Sequence, residues 1–312
     1  MATDVRAHFI VNPASGGGRT AGRIDRLRAA VERLEIDATF AETQYRGHGR
    51  VLADLALEDG YEVLVACGGD GTVNEVADAI LAASVGERVR LGTVPLGTGK
   101  DIGKCLGMPD ARSGLRAVAA GAERWIDAGR VECLDGAGEP TTRYFLLEAA
   151  AGWVAEISAS VPRWLKRLGD TAPYVLMTAI KMAGPMHREF ELAIDGEGMD
   201  ARYNTISIHN MEYWGGDLLV APGAAPDDGF LDVIRWGPLG RGAVLKAVQG
   251  QQHGGAHLAI EGIDRFAASE VRLNAARRTA IDLDGEHAGY LPATVTVVPG
   301  AIRFLASPNP SV

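Results

Sequence analysis

The sequence predicts two domains of different class: an α/β domain of the doubly wound parallel-sheet type, then an antiparallel β-sandwich domain. Three observations predict this. Up to about residue 126, short apolar β-branched runs alternate with amphipathic helical stretches, the pattern of a parallel sheet covered on both faces. Several of those runs end in a glycine-rich loop. After Trp125-Ile126-Asp127 the period becomes two, as in Phe190, Leu192 and Ile194, which suits antiparallel strands with one buried face. The expected boundaries are 1–126 and 127–300.

Composition allows this. The chain has 312 residues, 47% of them apolar, enough for two cores. Its net charge of -9 argues against a nucleic-acid partner, which requires a dominant basic face. Cys67, Cys105 and Cys133 show no CxxC spacing and read as reduced thiols. The start lacks the pattern of a signal peptide, and no apolar run reaches the ~18 residues of a membrane span. The expected location is therefore cytoplasmic, with membrane contact transient and peripheral.

Arg6 to Val11 reads as the first strand. The loop from Asn12 to Gly18 follows, then a helix with Ile24, Leu27, Val31 and Leu34 on one face. Gly16, Gly18 and Ala21 formally fit a dinucleotide fingerprint, but Asn12-Pro13 interrupts the tight strand-to-turn join it requires. Ala38 to Thr43 is a strand and Gly47 to Glu58 a helix.

Val63 to Cys67 is a buried strand ending in Gly68-Gly69-Asp70-Gly71-Thr72. The glycines allow a sharp turn and close approach to a ligand. Thr72 is expected to cap the helix that carries Val73, Val76, Ala77 and Ile80. Free amides at such a helix start attract phosphate, and Asp70 beside them suits a metal bound to that phosphate. Val89 to Val94 is the next strand, followed by Pro95-Leu96-Gly97-Thr98-Gly99-Lys100-Asp101. This loop is no Walker A motif: Val94 stands where the first glycine belongs, and Asp101 replaces Ser or Thr. It can still bind phosphate through its amides and the Thr98 hydroxyl. All three glycine loops fall at the carboxyl ends of strands, where such sheets bind ligands.

In the second half, strands are expected at 144–147, 189–195, 204–209, 230–236, 270–273, 280–284 and 294–298, with one helical stretch at about 164–182. Continued alternation past Ile281 and Leu283 would turn Asp282, Asp284 and Glu286 to the opposite face, presenting Glu286 as a proton acceptor. On the residues alone, a solvated strand end is the more ordinary reading of an acidic pair beside glycine. Arg163, Lys166, Arg167 and Lys181, with Trp164 and Leu165 among them, suit either an anionic membrane surface or an ordinary amphipathic helix.

Together these residues resemble the diacylglycerol kinase catalytic-domain family, the lipid kinases that include sphingosine and ceramide kinases. The matching pieces are Asn12 to Gly16, Thr43 with His48, Gly68 to Val76, Pro95 to Asp101, and Leu106 to Pro109. Gly215-Gly216, Asp228-Gly229 and Asp284-Gly285-Glu286 complete the set. The resemblance implies a nucleotide in the cleft between two domains, with the segment from about Ala301 returning to the first. It implies ATP contacts from Asn12, Pro13, Ala14, Ser15, Gly16, Thr43, Gly69, Asp70, Gly71, Thr72, Val73, Asn74, Glu75 and Thr98. It places Asp70 and Asp101 near a catalytic Mg²⁺ and makes Glu286 the general base. It implies a structural Mg²⁺ at Asp228, with backbone oxygens of Ala225 and Phe230. Two positions depart from the family: Lys100 replaces an asparagine, and Val154 stands where an aspartate is usual, with Glu156 nearby.

The expected function is transfer of the γ-phosphate of ATP to a hydroxyl of a diacylglycerol-like or sphingoid lipid. Its partners are ATP and a lipid at a membrane surface, with no nucleic acid; a homodimer is left open. The alternatives are a small-molecule kinase of the NAD-kinase type, and a catalytically weak nucleotide- or lipid-binding protein, which Lys100 and Val154 would support.

Overall fold

β-Branched and aromatic residues favour the extended chain, and in β1 (Ala7–Val11) they alternate between two buried faces. The structure, a computed structural model, describes residues 6–161, 172–199, 201–215 and 218–307. The chain divides into one unit of Met1–Asp127 with Gly300–Val312 and a second of Ala128–Pro299.

The first unit continues with α1 (Ile24–Arg33), β2 (Ala38–Glu42), α2 (His48–Glu58), β3 (Val63–Gly68), α3 (Asp70–Ala82) and β4 (Arg90–Pro95). α4 (Asp101–Cys105), α5 (Ala111–Ala120) and the start of β5 (Glu123–Leu134) follow. β2, β1, β3 and β4 lie side by side, all parallel. Beyond β4, Arg303 and Phe304 add a last parallel pairing with Arg90 and Leu91. Phe9, Val11, Val65 and Cys67 pack against Ile24, Leu27 and Val31 of α1 and Leu115 and Val118 of α5. The alternate residues Ile10, Leu64 and Ala66 are fully buried on the face covered by α2 and α3. Both faces are therefore dry, which explains the continuous apolar run of β3.

The second unit begins with the rest of β5, β6 (Pro140–Phe145), β7 (Glu148–Gly152), α6 (Trp153–Ser160), α7 (Ala172–Met182), β8 (Arg188–Ile194) and β9 (Glu197–Gly198). β10 (Ala201–Tyr203), β11 (Thr205–His209), β12 (Tyr213–Trp214), β13 (Leu218–Leu219) and β14 (Leu231–Trp236) come next. α8 (Arg241–Gln252), β15 (Ile263–Ala268), β16 (Glu270–Asn274), β17 (Ala280–Leu283) and β18 (Glu286–Leu305) complete it. β15, β14, β11, β7, β17 and β18 pair in that order, each antiparallel to the next. β16 pairs with the middle of β18 and with β8. Ile206, Ile208, Val233, Ile281 and Leu283 meet Leu192, Ile194, Val271, Leu273 and Val295 in the sandwich core. A second apolar cluster lies on the other face of β11 and β14, where Trp153 and Ile157 of α6 and Val244 and Ala247 of α8 pack with Ile234 and Trp236.

Four expectations are corrected. Thr72 is not the cap of α3: the helix starts at Asp70 with Gly69 at its N-cap and no side-chain cap. Helices α6 and α8 were not expected, because their apolar residues face a sheet and give short, weakly periodic runs. Val154 and Glu156 therefore lie in a helix, where residues two apart do not share a face. Glu156 is held by Arg188 in a two-pronged ion pair, at 2.8 and 2.7 Å.

The fourth concerns the end of β17. The strand stops at Leu283, which pairs with Glu286, and Asp284-Gly285 is a two-residue hairpin loop with φ of 50° and 79°. Asp-Gly is the preferred sequence for that left-handed turn. Asp282 is buried rather than turned to solvent. A second copy of this hairpin joins β8 to β9 through Asp195-Gly196, with φ of 46° and 87°. The strand expected at 189–195 therefore ends one residue early. Arg163, Trp164, Leu165, Lys166 and Arg167 of the basic cluster, and Gly216 of the expected motif, lie outside the described residues.

Candidate functional site

In the first unit the loops after β1, β3 and β4 meet at the carboxyl edge of the sheet and are bonded to one another. The amide of Asn12 donates to Cys67 O at 2.9 Å, and the amides of Leu96 and Gly97 both donate to Gly68 O at 2.9 Å. The Asn12 side chain donates to the Thr72 hydroxyl at 3.1 Å and accepts from the Ala14 amide at 3.0 Å. The Ser15 and Thr20 hydroxyls are 2.7 Å apart, and Thr20 reaches Leu96 O at 3.3 Å. The closest approach is between glycines: a Cβ on Gly97 would lie 2.6 Å from the Cα of Gly69. No side chain fits there, so glycine is required by contact, not by dihedral angle.

Asp70 is the centre of this arrangement. Its two carboxylate oxygens accept the amides of Asp101 and Ile102, each at 3.0 Å, and so anchor the start of α4. Burial, and then the charge of the nearby Asp101, push its carboxyl up to about 7. The structure thus brings Asp70 and Asp101 together, with Asp101 itself buried. Lys100 is exposed and donates to Pro109 O at 3.2 Å.

Glu75 has a role that sequence reasoning missed. Its two oxygens accept the amides of Gly47 and Gly49, both at 2.8 Å, and tie the loop after β2 to α3. That loop starts at Thr43, whose amide donates to Val11 O at 2.8 Å. It carries Tyr45, which is 60% exposed and stacked on the His48 ring with centroids 4.5 Å apart. No periodicity marks such a residue. The other expected contacts divide by burial: Pro13, Ala14, Gly71 and Thr98 reach the surface, whereas Gly16, Thr72, Val73 and Asn74 are buried. Gly16 packs under the Leu96 carbonyl, and a Cβ there would approach it to 3.1 Å. Asp127 is a further buried carboxylate that went unread; it accepts the Gly300 amide at 2.7 Å.

Asp228, Ala225, Phe230 and Glu286 belong to the second unit. Asp228 is exposed and its carboxylate accepts the Phe230 amide at 2.9 Å, closing a local turn. Glu286, half-buried, is the first residue of β18. Among the described residues no three His, Cys, Asp or Glu side chains gather as a metal site. Mg²⁺ commonly takes one or two carboxylates and completes its shell with phosphate oxygens and water, so Asp70 and Asp101 fit a phosphate-bound ion without a preformed cage.

Comparison with known proteins agrees with this architecture. Residues 6–131 match the family model of the diacylglycerol kinase catalytic domain, and residues 149–306 match that of the YegS C-terminal NAD kinase beta sandwich-like domain. A Bacillus subtilis diacylglycerol kinase is 26% identical over 289 residues, covering 92% of this chain and 91% of its own. A Staphylococcus carnosus diacylglycerol kinase is 25% identical over 92% of this chain and 90% of its own. Among solved structures, a diacylglycerol kinase from Bacillus anthracis superposes with a TM-score of 0.70 at 17% identity, covering 97% of each chain. Yeast NADH kinase complexed with NADH shares the fold more distantly, with a TM-score of 0.53 at 10% identity over 98% of this chain and 84% of that one.

Proposed function

The chain belongs to the diacylglycerol kinase catalytic-domain family, and from that premise we propose that it transfers the γ-phosphate of ATP to a hydroxyl of a lipid, diacylglycerol-like or sphingoid. The observation that carries the reading is the convergence of three glycine loops around Asp70 at one sheet edge. Phosphoryl transfer needs charge neutralised on the phosphates, an in-line approach, and a base near the attacking hydroxyl.

In this reading the loops Asn12–Gly16, Gly69–Glu75 and the segment around Thr98 hold the nucleotide phosphates through amides and hydroxyls. Thr43 and the exposed face of Tyr45 take the base and sugar. Asp70 and Asp101 hold Mg²⁺, which when bound supplies positive charge to the phosphate oxygens. An Asp70 carboxyl near 7 is ionised more readily once that charge is present. Lys100 lies beside the same loop and swings from Pro109 O to a phosphate oxygen. Glu286 accepts the proton of the lipid hydroxyl, and Asp228 with the carbonyl oxygens of Ala225 and Phe230 holds a structural Mg²⁺. The lipid is met at a membrane surface: Leu176 and Ile180 of α7 are 48% and 54% exposed, with Lys181 beside them, and no helix among the described residues is long and apolar enough to cross a membrane.

The test is an assay with [γ-³²P]ATP over diacylglycerol, sphingosine and ceramide in mixed micelles, with Glu286→Gln alongside. Transfer to one of these lipids, lost in the variant, is expected. Nucleotide binding without transfer to any lipid would instead identify a binding protein, and transfer undiminished in Glu286→Gln would remove the general-base assignment.

A further inference from the structure

A two-residue hairpin loop closes itself, yet the Asp284-Gly285 turn carries more bonds than closure needs. The Asp284 carboxylate accepts three successive amides of the neighbouring chain: Leu146 at 3.2 Å on Oδ2, and Leu147 and Glu148 at 2.9 Å on Oδ1. In return the Asp284 amide donates to Glu148 O at 3.0 Å. The Glu148 carboxylate accepts the Gly285 amide. Each residue thus grips the backbone of the other's segment, and the chain leaving this clasp is Glu286.

We propose that Asp284 and Glu148 are positioning residues for Glu286, forming a reciprocal clasp that holds the β17–β18 hairpin to β7 so that the Glu286 side chain is presented from a fixed backbone. This rests on the reading of Glu286 as the general base. A base must lie within hydrogen-bond reach of the proton it takes, and a misplacement of about 1 Å costs on the order of 100-fold. Hairpin tips at a sheet end otherwise fray at little cost. Leu146, Leu147 and Glu148 are buried, so their amides have no water to replace Asp284. Glu148 is 4% exposed, and its second oxygen has no hydrogen-bond partner among the described residues. Burial, and then the charges of Asp282 and Asp284, hold its carboxyl well above the ordinary range. A protonated Glu148 can lie beside Asp284 without like-charge repulsion.

The molecule contains its own control. Asp195 makes a related but smaller set of bonds in the β8–β9 hairpin: its Oδ1 accepts the amides of Ser269 at 3.0 Å and Glu270 at 2.8 Å and the Ser269 hydroxyl at 2.7 Å, and its amide donates to Glu270 O at 2.9 Å. Glu197 follows it as Glu286 follows Asp284. If the bonds served the turn alone, breaking either set would have the same consequences.

The experiment uses the full chain with Asp284→Ala, Asp284→Asn, Asp195→Ala and Glu286→Gln. Phosphate transfer to 1,2-dioleoylglycerol in mixed micelles is measured together with hydrogen exchange of amides 283–288. Asp284→Ala should lose about tenfold or more in kcat, with KM for ATP unchanged, and its hairpin amides should exchange faster. Asp284→Asn keeps one acceptor oxygen and tolerates the left-handed backbone, so it should recover much of the rate. Asp195→Ala should keep the wild-type kcat. Should Asp284→Ala not fold, Asp284→Asn is read against Asp195→Ala in the same two measurements. Wild-type kcat in folded Asp284→Ala, or, where that variant does not fold, both wild-type kcat and wild-type amide exchange in Asp284→Asn, or equal losses at Asp284 and Asp195, would overturn the inference. If Glu286→Gln is inactive in that case, the base reading survives alone. If Glu286→Gln is fully active, the base reading falls, and the positioning role with it.

Discussion

The hairpins at Asp195 and Asp284 share a tripeptide, Asp-Gly-Glu, the same left-handed turn and an aspartate that binds the backbone of a neighbouring glutamate, yet they sit in opposite surroundings. Asp195, Gly196 and Glu197 are exposed, and the glutamate they face, Glu270, is paired with Arg272 at 2.9 Å. Asp284 faces Glu148, which is buried beside Asp282. The turn is therefore a property of the local sequence, whereas the chemistry open to the glutamate after it is a property of where the turn is mounted. A motif match at Asp-Gly-Glu identifies a hairpin; burial distinguishes the two.

The comparison can be tested at four levels. The largest effect is expected on rate: Glu286→Gln should lower kcat by about 10²–10⁴-fold, the range for a general base, and Glu197→Gln should leave it unchanged. Steady-state assays of the two variants decide this. Next is stability. Asp284→Ala strips acceptors from buried amides at about 1–3 kcal/mol for each group left unsatisfied, against about 0.5–1.5 kcal/mol for an exposed bond such as that of Asp195. Chemical denaturation should rank them so, and the reverse order would mean that the buried clasp is slack. The third effect should be equal at both sites. Gly285→Ala and Gly196→Ala meet no atoms within 4 Å but force a side chain into the left-handed region, at roughly 1–2 kcal/mol each.

The effects of pH have opposite signs at the different carboxylates. Hydrogen bonds from Ser269, first from its hydroxyl, lower the Asp195 carboxyl. Its contribution is complete above the unfolded carboxyl range and is lost as pH falls through the folded value. The Glu148 carboxyl is raised, so its contribution is present in acid and lost as pH rises. Asp70 behaves like Glu148, with the loss falling between its ordinary value and about 7. Melting curves of Glu148→Gln, Asp70→Asn and Asp195→Asn across pH 3–9 should each lose the corresponding slope. An Asp70→Asn curve with the wild-type slope between pH 4 and 7 would show that the first unit does not bury that charge.

Part of the fold around the candidate site was legible for a physical reason. β3 is buried on both faces, so its apolar run is uninterrupted, and a glycine loop after such a run stands out. Asp70 and Asp101 were paired only through the family resemblance; in the structure each opens a helix after a glycine loop. What escaped depends on contacts distant in sequence. Glu75 binds the amides of Gly47 and Gly49 across 28 and 26 residues, and no local pattern records that. Helix α6 follows directly on β7, so Trp153 to Ser160 continues an apolar run without a break signal. The turn at Asp284-Gly285 was legible in principle, since Asp-Gly is a strong hairpin signal, but the alternation of Ile281 and Leu283 was extended through it.

The parallel pairing of Arg303 and Phe304 with β4 has a consequence for biosynthesis. Phe304 and Leu305 are buried in the first unit, yet they are made after the whole second unit. Until residues 128–299 have been made, the edge of β4 that pairs with Arg303 and Phe304 has no strand beside it. An open parallel edge of that kind can template pairing with another chain. The sheet of the first unit is therefore completed by residues made only after the whole second unit.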